Sequence, residues 1–239
     1  MQTENITERI VSILYPRRCP VCDDIVKHNE GLIHAECKRV IKPAGRVICM
    51  KCGKPLTDPD EEYCHDCASM RHYFDRGVGV FRYRSVSGSV YRFKYSGRKE
   101  YADFYADAAK RYLGSVIKDF NAEVIIPVPM YANKQKKRGY NQAEIFAKAL
   151  GKSMNIPVRN DVVIRVRDTV PMKMLDSSER RSNLKKAFNI RENDVKFKCI
   201  ILIDDIYTTG STMDELAREF RKHGVERIFF VTLAIGQVV

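Results

Sequence analysis

The stretch Ile200-Ile-Leu-Ile-Asp-Asp-Ile-Tyr-Thr-Thr-Gly-Ser-Thr212 sets two adjacent carboxylates just ahead of four small hydroxyls. Four β-formers before Asp204 and Asp205 predict a buried strand that the two acids close. The loop Thr208–Thr212 then leads into a helix expected to start near Met213. Free N–H groups and the positive end of the helix dipole meet there, which suits an anion. Thr208, Thr209, Ser211 and Thr212 add hydroxyl donors, and Gly210 lets the backbone curl with positive φ against a phosphate. Two acids beside such a cradle would repel a bare nucleotide phosphate. They make sense if they accept hydrogen bonds from sugar hydroxyls or help to hold a magnesium ion. Helix capping alone needs one such residue, not two acids and four hydroxyls.

A second constellation is metal-binding. Cys19-Pro-Val-Cys22, Cys49-Met-Lys-Cys52 and Cys64-His-Asp-Cys67 are knuckle pairs, and His34-Ala-Glu-Cys37 is a half-pair between the first and second. Two intervening residues let a tight turn aim both ligands at one tetrahedral ion. Eight ligands imply two zinc ions. The simplest partition is Cys19, Cys22, His34 and Cys37 for one, and Cys49, Cys52, Cys64 and Cys67 for the other. His28 competes with His34, and pairing across the two sets stays open. Each set already supplies four protein ligands, so the role is structural, not catalytic. His65 and His72 are expected on the solvated surface. Cys199, alone in a buried strand, is expected to be a small core residue.

The elements that must position these groups divide the chain in two. Residues 3–14 carry Ile6, Ile10, Ile13 and Leu14 at helical spacing. Residues 15–70 hold seven cysteines and few long apolar segments, so metal must replace a core. From about residue 76 strands and helices alternate. Strands are expected at Val78–Tyr83, Val124–Val128, Lys198–Asp204 and Arg227–Ile235, and helices at Tyr101–Ile117, Asn141–Met154 and Met213–His223. The reading is an α/β fold with a largely parallel sheet and helices on both faces. The boundary predicted is 1–72 for the cysteine-rich module and 73–239 for the α/β domain. Residues 166–198 are polar without a clear period, an excursion with room for a short strand.

Charge narrows the partners. Forty-two Lys and Arg against 30 Asp and Glu give a net charge of +12, which favours phosphate-bearing ligands, nucleic acid or anionic lipid. Lys134, Lys136, Lys137 and Arg138 form one basic loop after Pro127-Val-Pro129, and Arg180, Arg181, Lys185 and Lys186 form another cluster. Tyr91-Arg-Phe-Lys-Tyr95 could stack on bases. It also reads as an amphipathic helix pairing Tyr91 with Tyr95 at i, i+4. No apolar run approaches the roughly 18–20 residues that span a bilayer. Glu4, Glu8 and Arg9 precede any apolar stretch, unlike a signal peptide. A cytoplasmic location is expected, and cysteines there point to metal before disulfides.

The strand, acid pair and Thr/Gly loop resemble the PRPP (phosphoribosyl pyrophosphate) motif of type I phosphoribosyltransferases. Pro127-Val-Pro129 with Lys137-Arg-Gly-Tyr-Asn-Gln142 is similar to the ComF family, the phosphoribosyltransferase-like competence proteins. So are Phe93-Lys-Tyr-Ser-Gly97, Arg167-Asp-Thr169, and Leu175 with Glu179-Arg180 and Asn183. The cysteine-rich front is typical of that family too. The chain departs from it at Met172, where glutamine is usual, at Lys134, where arginine is usual, and at His34. The resemblance implies a type I phosphoribosyltransferase-like fold behind a zinc ribbon. It implies PRPP bound with magnesium by Thr208, Thr209, Gly210, Ser211 and Thr212, with Lys137, Arg138 and Gly139 at the pyrophosphate. Arg180 would follow a loop that closes over the substrate. Any transfer would pass through an oxocarbenium-like ribose flanked by Asp204 and Asp205, and Asp205 is a candidate base. The resemblance further implies a role in DNA uptake, with single-stranded DNA and competence helicase or recombination proteins as partners. An active phosphoribosyltransferase or a PRPP-sensing regulator are the alternatives.

Overall fold

The computed structural model describes residues 16–27, 30–167, 187–191 and 196–236. The helix expected at 3–14, His28, Met172 and the Arg180–Lys186 cluster lie outside the described residues.

The elements in order are α1 (His65–Ser69), β1 (Arg76–Arg82), α2 (Tyr83–Tyr95), α3 (Tyr101–Asp119), β2 (Val124–Pro127), α4 (Ala132–Arg138), α5 (Gln142–Met154), β3 (Val163–Arg165), β4 (Phe188–Ile190), β5 (Cys199–Tyr207), α6 (Ser211–Lys222) and β6 (Arg227–Ile235). Strands β1, β6, β5 and β2 form a four-stranded sheet in that order, every pair parallel. Strands β3 and β4 make a separate antiparallel pair. The long helices cover both faces, so β5 is apolar on both sides up to its acids, as parallel strands require. Ile201, Ile203 and Val231 pack into one cluster with α2, α3 and α5. Ile200, Leu202 and Phe230 face the other, with α6 and the β3–β4 pair. Cys199 is a buried core residue whose thiol donates to Phe120 O.

Most expected elements shift by one to three residues at an end, and Tyr83 opens α2 instead of closing β1; three differences bear on the site. Strand β5 does not stop at the acids. It continues through Tyr207, because Ile206 and Tyr207 still pair with Ala234 and Ile235 of β6. Helix α6 starts at Ser211, so Ser211 and Thr212 belong to its first turn. The basic run from Lys134 is the helix α4, not a loop. Its Lys and Arg residues are good helix formers, its last turn is basic as the dipole prefers, and Gly139 at φ 87° ends it.

The cysteine-rich segment straddles the β1 edge. Cys19 and Cys37 join the first cluster beside Phe81 and Tyr101, while Cys49 and Cys52 join the second beside Phe74 and Phe230. Arg92 donates to Pro20 O and Val21 O, and Arg98 makes a two-pronged ion pair with Asp23. Among the described residues no helix is long and apolar enough to cross a membrane.

Candidate phosphate site and metal centres

Strand β5 delivers Asp204 and Asp205 to the mouth of the sheet, and α6 begins just beyond. Gly210 adopts φ 81°, the left-handed region, as the cap of that helix. A side chain there would also collide with Tyr207, whose hydroxyl lies 2.5 Å from an ideal Cβ position. Glycine is therefore required twice over, by conformation and by space. Thr209 and Ser211 hydroxyls meet at 3.0 Å across the loop.

The acid pair is held in contrasting environments. Asp205 forms a 2.8 Å ion pair with Lys94 of α2. Asp204 accepts the backbone N–H of Asp205 at 2.8 Å. Burial and the neighbouring Asp205 charge push the Asp204 carboxyl up to about 7, against that N–H and the charges of Lys94 and Arg165. Opposite Asp204 on β6 stands Thr232, fully buried, whose hydroxyl has no hydrogen-bond partner among the described residues. The site thus stores an acid that desolvation keeps partly neutral, the state a cation or a hydroxyl donor would relieve.

The C-terminal turn of α4 is basic. Arg138, in the last turn of α4, donates to Gln142 at 2.7 Å, and Gln142 reaches the Lys94 carbonyl at 3.4 Å. Arg138 and Asp205 are therefore linked through α2. Lys137 and Gly139 flank Arg138, and Asn141 ties the turn to Val128 O at 2.9 Å. Arg138 also lies over the Tyr95 ring at 4.7 Å, and Tyr91 and Tyr95 pair at 5.0 Å with both rings exposed.

The two cysteine sets converge separately. In each, one ligand atom per residue lies within 4.8 Å of the other three: Cys19, Cys22, His34 and Cys37 in one set, Cys49, Cys52, Cys64 and Cys67 in the other. Four sulfurs about one zinc would sit about 3.8 Å apart, from a bond of about 2.3 Å. Cys52 and Cys64 are at 3.6 Å. Within this set a hydrogen bond from Cys67 lowers the Cys52 thiol to about 5, while burial pushes the Cys64 thiol up to about 11. His34 Nε2 contacts Ile25 O at 3.0 Å, which leaves Nδ1, 3.3 Å from Cys22 Sγ, for a metal. Both sets fit structural zinc, on the side-chain groups the sequence singled out.

His72 is a correction. It is not on the solvated surface: its side chain is fully buried between Cys67 Sγ at 3.4 Å and Asp214 of α6 at 2.6 Å. His65, by contrast, is 96% exposed. Sequence reasoning missed His72 because its partner is 142 residues away.

Comparison with known proteins agrees with this architecture. Residues 10–68 match the double zinc ribbon domain, and residues 106–237 match the phosphoribosyl transferase domain. The chain is 32% identical to Competence protein F of Haemophilus influenzae, over 88% of this chain and 93% of that protein. It is 26% identical to DNA utilization protein YhgH of Escherichia coli K12, over 89% and 94% of the two chains. It is 26% identical to Competence protein ComFC of Bacillus subtilis, over 81% and 79%. With its two converging cysteine sets ahead of a parallel sheet that ends in an acid pair and a hydroxyl loop, this chain belongs to the ComF family of phosphoribosyltransferase-like proteins.

Proposed function

We propose that this protein is a ComF-like factor of DNA uptake that binds PRPP with magnesium and also engages single-stranded DNA. The observation that carries the PRPP reading is the order of groups along β5 and α6: a half-neutral buried acid, a second acid paired with Lys94, then a hydroxyl loop capped by Gly210. Loop N–H groups and the Thr208, Thr209, Ser211 and Thr212 hydroxyls would take the 5′-phosphate. Asp204 and Asp205 would accept the ribose hydroxyls or help to hold magnesium, whose charge favours the ionised acids. Lys137, Arg138 and the Gly139 turn would hold the pyrophosphate. Zinc at the two cysteine sets would fix the N-terminal segment.

The DNA half rests on the names of the relatives, which speak of competence and DNA utilization, and on the net charge of +12. The exposed Tyr91–Tyr95 pair, with Arg138 over Tyr95, offers a face on which bases can stack. Titration with PRPP, with and without magnesium, and with a fluorescent single strand on the same sample tests both halves. The expected result is magnesium-dependent PRPP binding and salt-sensitive DNA binding. Absence of either removes that half alone.

A second reading, an active phosphoribosyltransferase, is favoured by the intact acid pair. It requires pyrophosphate release from PRPP with one particular acceptor base. No release with any common base would leave the site as a ligand-binding device.

A further inference from the structure

We infer that the second cysteine set is the support of the phosphate loop, and that His72 is the positioning residue that couples them. The inference rests on the PRPP reading for its ligand, but its contacts stand without it. Two chains of contact run from the same four cysteines to the two ends of the loop. In one, Cys67 Sγ meets His72 Nε2 at 3.4 Å, and His72 Nδ1 meets Asp214 at 2.6 Å. In the other, Cys52 packs in the same core cluster as Tyr207, and Tyr207 lies under Gly210 so closely that no side chain fits between them.

The chemistry of Asp214 explains why such a bridge is needed. It stands in the first turn of α6, where N–H groups are to receive an anion. A carboxylate suits a helix N-terminus but competes with a phosphate for the same dipole. Here both of its oxygens are turned away to the ribbon side: one to His72, the other to the Tyr73 N–H at 3.0 Å. The ring spans the gap between the cysteine set and α6, with one nitrogen against the Cys67 sulfur and the other against the Asp214 carboxylate. The ring also stacks on Phe74 at 4.6 Å and has no exposed side-chain surface, so its orientation is fixed by packing. Outer partners of this kind normally orient a metal's ligands. In this fold the same contact also fixes the first turn of the anion-binding helix and shields Asp214.

The experiment uses the full-length, zinc-loaded protein with His72→Ala, Asp214→Asn, the double variant, and His65→Ala as control. Zinc content, amide exchange of residues 208–214 and titration with PRPP and magnesium are read on each. In His72→Ala both zinc ions stay, amides 208–214 exchange faster, those near Cys19–Cys37 do not change, and PRPP affinity falls on the order of tenfold. Adding Asp214→Asn costs nothing further, because both substitutions cut one coupling. His65→Ala leaves every readout unchanged. Unchanged loop exchange and affinity in His72→Ala, or additive losses in the double variant, overturn the inference. If His72→Ala sheds zinc or misfolds, Asp214→Asn decides alone: faster loop exchange with zinc retained supports the coupling, and unchanged exchange overturns it. If the parent protein binds no PRPP, the PRPP reading fails, and loop exchange still decides the coupling in the same way.

Discussion

At Asp204 and Gly210, burial and backbone conformation each act on a single position. The Asp204 carboxyl sits at about 7, above its ordinary value of 3.8, because burial and Asp205 oppose its charge. The folded state therefore binds this proton more tightly than the unfolded chain does. No penalty exists below the ordinary value; it grows with rising pH and is complete above about 7, on the order of a few kcal/mol. Asp204→Asn should accordingly raise the melting temperature at pH 8 and change it little near pH 4. Equal melting temperatures at pH 8 would show that Asp204 is not strained. Gly210→Ala meets both the φ of 81° and the Tyr207 hydroxyl, so it should lower stability and weaken PRPP binding together, read by thermal melting and calorimetry. These positions were legible in sequence, since two acids, four hydroxyls and a glycine fall in one short stretch. His72 was not legible, because a lone histidine shows nothing of a carboxylate 142 residues away.

The elements themselves were largely legible from period and punctuation. The helix expected at Asn141–Met154 is α5, with Asn141 capping it through its side chain onto the Ala143 N–H. The strand expected at Arg227–Ile235 is β6. What sequence could not give is how far pairing carries β5 past its acids, since that depends on β6 as partner. Nor could it show that the two cysteine sets pack on opposite faces of the sheet. That arrangement makes a prediction. Elemental analysis should find two zinc ions per chain, and Cys19→Ser should lose one. Amide exchange should then rise around the first set, where Tyr101 donates to Cys19 O, and not at residues 208–214. Cys67→Ser should lose the other ion and loosen 208–214. Loss of both ions, or loosening of 208–214, in Cys19→Ser would mean that the ribbons do not act separately.

For the whole molecule, the basic excess and the exposed tyrosine pair point outward, while the acid pair and hydroxyl loop point into the sheet's mouth. If single strands bind through several phosphates, log affinity should fall with log salt by about 0.7 per contact. Reversing the charge of Lys136 and Lys137 should flatten that slope. An unchanged slope would put DNA elsewhere on the surface. The sugar-phosphate site is decided by calorimetric titration of PRPP with magnesium into the parent protein and into Asp204→Asn with Asp205→Asn. Binding to the parent should depend on magnesium, and the double variant, whose thermal unfolding remains cooperative, should not bind. Equal affinity in the two proteins would contradict a sugar-phosphate site, leaving a cradle that takes plain phosphate and acids that touch no sugar.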